Sequence, residues 1–322
     1  MHPNKIIIMK RNRFVKLLLA AFLFSGLIFS SCKKNSSTPT GQSITDVVAG
    51  NADLSYLSAA ITTAGLSSTF SSAGAYTMFA PTNEAFQAAG YATIDAVNAA
   101  DPNVLSDILQ YHTLNKIIKA MDLPTGPDSA AETLNTDSVY LTNNNKGIFI
   151  NGTTLLTGDA PATNGLVHTI GKLLTPPVGN IIATIEVNPD LTFLVAAIQR
   201  ASEGSTDLFS ILEGDGPYTL FAPTNEAFIA AGYATIADIQ AADPDALSSL
   251  LTYHIINVLN FSSDFYDGYN PVTFRGTSIS INATGGFTVK GTANLTAANI
   301  TLSDFATYNG VVHIIDRVLI PF

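Results

Sequence analysis

A single cysteine, Cys32, stands in 322 residues, so no intramolecular disulfide can staple this chain. Charge is sparse at 12% of residues while apolar residues make up 47%, the composition of a globular rather than a disordered chain. Positive charge is the scarcer sign, with 15 Lys and Arg against 25 Asp and Glu and a net charge of −10. Five of the basic residues, Lys5, Lys10, Arg11, Arg13 and Lys16, precede Cys32, which leaves 10 basic against 25 acidic side chains, or −15, for the remainder. A surface of that sign repels phosphate backbones and excludes nucleic acid as a partner class. Catalytic signatures are missing as well. There is no Gly-x-Ser-x-Gly elbow, no phosphate-cradling glycine loop, no HxxxH, HxH or Cys-His cluster, and no carboxylate spacing that singles out an acid/base pair. No catalytic residue, metal ligand or cofactor is therefore expected, and an envelope hydrolase stays open only because fold does not fix function.

The N-terminal segment reads as an address. Met9-Lys10-Arg11-Asn12-Arg13 is a basic stretch, and the apolar run Leu17 to Phe29 is shorter than the ~20 residues a membrane-spanning helix needs. Ser30-Ser31-Cys32 follows, an order that marks a secretory signal over residues 1–31. Its end resembles the lipobox of bacterial lipoproteins, with Phe29 where a small aliphatic residue is usual; the resemblance implies lipidation of Cys32. The alternative is an ordinary signal peptide with an incidental cysteine. Residues 32–42 then form a lipidated tether rich in Ser, Thr and Pro. Lys33 is not the aspartate-type retention signal, so an outer-membrane lipoprotein is expected, its periplasmic or surface face left open. Asp128-Ser129-Ala130 and Asp137-Ser138-Val139 resemble the O-glycosylation acceptors of Bacteroidetes envelope proteins.

An internal repeat organises the rest. The run Tyr76-Thr77-Met78-Phe79-Ala80-Pro81-Thr82-Asn83-Glu84-Ala85-Phe86 returns 142 residues later from Tyr218 to Phe228 with one change, Met78 to Leu220. Tyr111-His112 returns as Tyr253-His254, and Asn164-Gly165-Leu166-Val167-His168 as Asn309-Gly310-Val311-Val312-His313. A period this long means two whole domains rather than a solenoid, spanning residues 43–176 and 178–322 with a proline-stiffened joint at Thr175-Pro176-Pro177-Val178-Gly179. Leu54, Leu57 and Ile61 recur at helical spacing, as do Leu191, Leu194 and Ile198. Tyr76–Phe79 reads as a strand, Thr82 as the N-cap of a helix, and Pro102 as the first residue of another. The second half of each copy is Thr- and Val-rich, broken by Asn-Gly and Gly-Gly, which predicts hairpins. Helices first and strands second give an α+β class.

On these residues the chain resembles the fasciclin family twice over. The Tyr-Thr-Leu-Phe-Ala-Pro-Thr-Asn-Glu-Ala-Phe segment is similar to the family's first signature box, and Asn309 to Pro321 to its second, with Tyr-His between them. The resemblance implies two wedges of about seven β-strands with packed helices, and a role in adhesion or matrix interaction without catalysis. Domain 1 departs from the second box, ending Gly171-Lys172-Leu173-Leu174 where domain 2 has Asp316-Arg317-Val318-Leu319.

Candidate contact residues are few. Tyr111-His112 and Tyr253-His254 correspond to an integrin-contact motif in animal relatives, or to a helix end packed on the core. His168 and His313 alternate with aliphatic neighbours, the pattern of buried neutral histidines. Domain 2 alone carries Phe261, Phe265, Tyr266, Tyr269 and Phe274 with Asp264 and Asp267 between, where residues 116–133 of domain 1 have no aromatic. Such rings suit sugar stacking, or else cover the core under a long loop. The leading expectation is an adhesion or interaction lipoprotein that meets an envelope or extracellular protein or polysaccharide. The runner-up is a surface lipoprotein that captures polysaccharide with the domain 2 aromatics.

Overall fold

The computed structural model describes residues 41–321, so the signal segment and Cys32 lie outside the described residues. Domain 1 opens with helices α1 (Ile44–Ala49), α2 (Ser55–Thr63) and α3 (Ser67–Ser71), then strand β1 (Tyr76–Pro81), then α4 (Asn83–Ala88), α5 (Ile94–Asn98) and α6 (Pro102–Tyr111). Strands β2 (Thr113–Leu114), β3 (Gly126–Glu132), β4 (Ser138–Asn144), β5 (Gly147–Ile150), β6 (Thr153–Ala162) and β7 (Gly165–Ile170) complete it. Their order is β2-β1-β7-β6-β5-β4-β3, a seven-stranded sheet. Domain 2 repeats the plan with α7 (Ile181–Glu186), α8 (Thr192–Ala201), α9 (Leu208–Glu213), β8 (Tyr218–Pro223), α10 (Asn225–Ala230), α11 (Ile236–Ala241) and α12 (Pro244–Leu251). Its strands β9 (Ile255–Ile256), β10 (Ser280–Asn282), β11 (Thr288–Lys290), β12 (Ala298–Thr307) and β13 (Gly310–Ile315) join β8 in a six-stranded sheet ordered β10-β11-β12-β13-β8-β9.

The sequence signals act where expected. Thr82 and Thr224 accept the amides of Ala85 and Ala227 as N-caps. Pro102 and Pro244 occupy the first turn of α6 and α12, where a missing N–H costs nothing. The α+β class and the hairpins at Asn164-Gly165 and Asn309-Gly310 are as predicted. One feature had no hairpin signal. The first-box strand pairs in parallel with the last strand of its own domain, β1 with β7 and β8 with β13, so in each sheet the two signature boxes lie side by side, one strand in from an edge. A parallel pair needs a long crossover, here the helices and outer strands between the boxes.

The repeated polar residues are fasteners of this arrangement. Asn164 accepts the amide of Ile44 and donates to the carbonyls of Phe70 and Ser72, lashing α1 and α3 to the hairpin. Asn309 does the same for Ile181, Leu212 and Gly214. The adjacent glycines are required by contact: a Cβ on Gly165 or Gly310 would lie 2.1 Å from the carbonyl oxygen of Tyr76 or Tyr218. Asn83 and Asn225 likewise accept the amides of Tyr56 and Phe193 and donate to the carbonyls of Ala52 and Pro189, pinning the starts of α2 and α8. Helical cores sit on one side of each sheet, with Leu57, Phe70, Phe86 and Leu105 in domain 1 and Leu194, Leu208, Phe228 and Leu247 in domain 2.

Candidate binding site

All four described histidines are fully buried, and backbone partners fix their tautomers. His112 donates from Nδ1 to the carbonyl of Ile108 at 2.7 Å and accepts at Nε2 from the amide of Leu174 at 3.0 Å. His254 repeats this with Leu250 and Leu319. An amide N–H must find an acceptor, so Nε2 is unprotonated and the ring neutral. Burial holds both well below the usual imidazole value, at about 4, with the bond to the helix carbonyl opposing. His168 and His313 carry the other tautomer. Nε2 donates to the carbonyls of Ile118 and Asn260, and Nδ1 accepts the amides of Asp159 and Asp304. Those aspartates have left-handed backbones, φ 62° and 72°, at bulges of β6 and β12 that aim their amides into the ring. The histidines act as backbone clasps. Among the described residues no three His, Cys, Asp or Glu side chains converge to hold a metal ion.

The tyrosine of each Tyr-His pair is equally enclosed. Tyr111 donates to the carbonyl of Ser138 and accepts from Asn151, and Tyr253 donates to the carbonyl of Ser278 and accepts the amide of Thr292. Tyr111, His112, Tyr253 and His254 were candidates for ligand contact; in the folded chain none presents a surface to one. Each pair ends a helix and joins it to the sheet and to the segment after the last strand.

The aromatic stretch of domain 2 divides into three roles. Phe265 is buried against Phe221, Phe287 and His313, the last at a centroid distance of 5.1 Å. Phe261 is buried too, but its neighbour is Tyr140 of domain 1 at 5.5 Å, so it belongs to the seam between domains. As candidate contacts these two are corrected: fully buried rings serve the core and the seam. Tyr269 is half-buried, its hydroxyl donating to Asn260. Tyr266 alone is well exposed, at 53%, with its ring 5.1 Å from that of Tyr269.

The sequence reading missed how domain 1 meets this stretch. Lys146, at the β4–β5 turn, donates from Nζ to the carbonyls of Ser263 and Phe265 at 2.8 and 2.6 Å. Lys172 donates to the carbonyl of Ser303 at 2.7 Å. Asp128, in a left-handed conformation at φ 51°, faces Asp264 across the seam within hydrogen-bonding reach. Burial first, then the facing Asp264 charge, pushes the Asp128 carboxyl up to about 7, against the lowering bond from Thr142. Asp264 is also raised, by burial, although the amide of Phe261 bonds to it. Two carboxyl groups within hydrogen-bonding reach share one proton in this setting. No spacing in the sequence announces that pairing; only the mismatch between the two repeats pointed to the region.

Beside the seam runs an open groove of ≈ 480 Å³. Phe149 of β5, Tyr266 and Phe287 contribute rings, while Lys146, Ser263 and Asp267 contribute polar atoms. Both charges are already braced, since Asp267 accepts the amides of Ala283 and Thr284 and the hydroxyl of Thr284. A second, more enclosed cavity of ≈ 300 Å³ lies between the joint and domain 2, lined mainly by apolar residues including Val178, Val187, Leu191 and Ile314.

The fasciclin domain model matches residues 52–176 and 189–321, and the chain belongs to the fasciclin family. It is 34% identical to human periostin over 262 residues, which cover 77% of this chain and 28% of that protein. To the transforming growth factor-beta-induced protein ig-h3 of Sus scrofa it is 32% identical over 249 residues, 77% of this chain and 35% of that one. The chain thus spans about a third of the length of these relatives. The solved structure of a domain pair from the insect cell adhesion molecule Fasciclin I covers 83% of this chain and 96% of its own, with a TM-score of 0.39 at 19% identity.

Proposed function

We propose that this chain is a lipid-anchored, non-enzymatic adhesion or interaction protein of a bacterial cell envelope, held on the outer membrane through Cys32. The observation that carries the reading is the tandem of fasciclin domains, in which every side chain that resembled a chemical group is spent on the fold. The histidines clasp backbone, the Tyr-His pairs close helix ends, and Glu84 and Glu226 stand in the first turns of α4 and α10, where the helix dipole favours a negative charge. What remains available to a partner is surface, as binding by complementarity requires. The partner is an envelope or extracellular protein or polysaccharide. Polysaccharide is the second reading, favoured by the exposed Tyr266 beside a ring-lined groove.

Host cells lacking the protein, complemented with the wild type or with Cys32→Ala, test both halves. The wild type should restore attachment to a surface or to other cells and should stay with membranes through a urea wash that strips reversibly bound protein, whereas Cys32→Ala should do neither. Retention of Cys32→Ala on urea-washed membranes would remove the lipid anchor from the proposal, and unchanged attachment on deletion would remove adhesion.

A further inference from the structure

We infer that the groove beside the interdomain seam is a binding site for a neutral oligosaccharide, shared by the two domains. This rests on the chain being a binding module of the envelope, and it names the ligand class and the place. Three rings open onto the groove from two domains: Phe149 on β5, half-buried; Phe287 just before β11, half-buried; and Tyr266, exposed. A pyranose ring offers a flat face of C–H groups to such surfaces and a rim of hydroxyls that both donate and accept.

The second observation is Ser263. Its residue is only 4% exposed, it lines the groove, and its Oγ has no hydrogen-bond partner in the protein. A buried hydroxyl left unsatisfied costs free energy that a partner recovers, and a sugar hydroxyl matches a serine in both roles. The neighbouring polar groups orient Ser263 without competing for it. Lys146 takes the Ser263 carbonyl, as does Asn144 at 3.4 Å, and Asp264 is occupied at the amide of Phe261.

Charge narrows the class further. Lys146 and Asp267 flank the groove with opposite signs, each already bonded to its own surroundings, so the groove selects no ionic group. The acidic balance of the chain disfavours polyanions. A volume of ≈ 480 Å³ falls within the ordinary range for small-ligand sites, and an open trough lets a chain run through it rather than end in it. The site also explains why domain 2 breaks the repeat. Its aromatic stretch wedges Phe261 against Tyr140 and anchors Phe265 in the core, which holds Ser263 and Tyr266 beside domain 1.

Isothermal titration of the purified full chain with neutral hexasaccharides of β-1,3-glucan, β-1,4-glucan, α-1,4-glucan, β-1,4-mannan and β-1,4-xylan tests it. At least one should bind with a Kd between about 10 μM and 1 mM. Tyr266→Ala and Phe149→Leu should each weaken it about tenfold or more, Tyr266→Phe should keep it, and Ser263→Ala should weaken it several-fold. Because Tyr266 is exposed and Phe149→Leu keeps apolar bulk, melting of these two variants should match the wild type. No binding of any hexasaccharide at millimolar concentration overturns the inference, as does binding that both Tyr266→Ala and Phe149→Leu leave unchanged. Cell attachment that survives Tyr266→Ala would sink this site while leaving the adhesion proposal standing.

Discussion

Replacing Asp128 with Asn probes the seam between the domains through a single proton. Asp128 Oδ1 accepts from Thr142 Oγ1, its amide donates to the same oxygen, and the carboxyl faces Asp264. Asn keeps an acceptor for Thr142 and a donor for Asp264 but cannot ionise. The folded chain holds the Asp128 proton up to about pH 7, while the unfolded chain releases it near the ordinary value of 3.8. Between those two values the folded state binds more protons, so rising pH erodes stability across that window and not above it. A displacement from 3.8 to about 7 corresponds to ~4 kcal/mol as a ceiling. Asp128 is only half-buried, so solvent screening reduces this to about 2 kcal/mol. Urea unfolding of wild type and Asp128→Asn at pH 4 and pH 8 measures the difference. The two should be nearly equal in stability at pH 4, and the variant should be more stable by about 2 kcal/mol at pH 8. The same gap at both values would refute the shared proton.

Gly310→Ala should be among the most damaging single-methyl changes in domain 2, because the added carbon meets a backbone carbonyl that cannot turn aside. A loss of about 3 kcal/mol or more is expected by urea titration, and a loss under 1 kcal/mol would contradict the close approach. His313→Ala strands the amide of Asp304 and the carbonyl of Asn260 and opens a cavity, at a cost of about 1–3 kcal/mol. A chelator should leave its melting and that of the wild type unchanged; a chelator-dependent shift would mean a metal site. His112 and His254 are held at about 4 when folded and return to 6.5 when unfolded. The unfolded state therefore binds more protons in that interval, and stability falls as pH drops from 6.5 toward 4. This trend opposes that of Asp128, so it is best read in the Asp128→Asn background, where a flat profile would contradict buried neutral imidazoles.

Much of the fold was legible because its devices are local. The Thr82 cap, the Pro102 helix start and the Asn164-Gly165 turn each act over two or three residues and leave a signature in the sequence. The repeat doubled every such signal. The parallel pairing of β1 with β7 joins residues about 90 apart, and no periodicity encodes it. The site was less legible. The Tyr-His pairs stood out as chemistry, yet their polar atoms are consumed by backbone partners that only folding brings near. The aromatic run of domain 2 was visible, but sequence contrast cannot sort a ring that packs on the core, such as Phe265, from one that faces another domain, such as Phe261, or solvent, such as Tyr266. Lys146 and Asp128 were invisible as partners because they lie on the other copy of the repeat, more than 100 residues from the atoms they meet.

The proposal that the chain works by binding at the envelope is tested most directly by adding purified Cys32→Ala protein to isolated envelopes of its own host and measuring retention against concentration. Saturable retention, displaced by unlabelled protein, is the predicted result. Retention that rises linearly without saturation, or none at all, would contradict it.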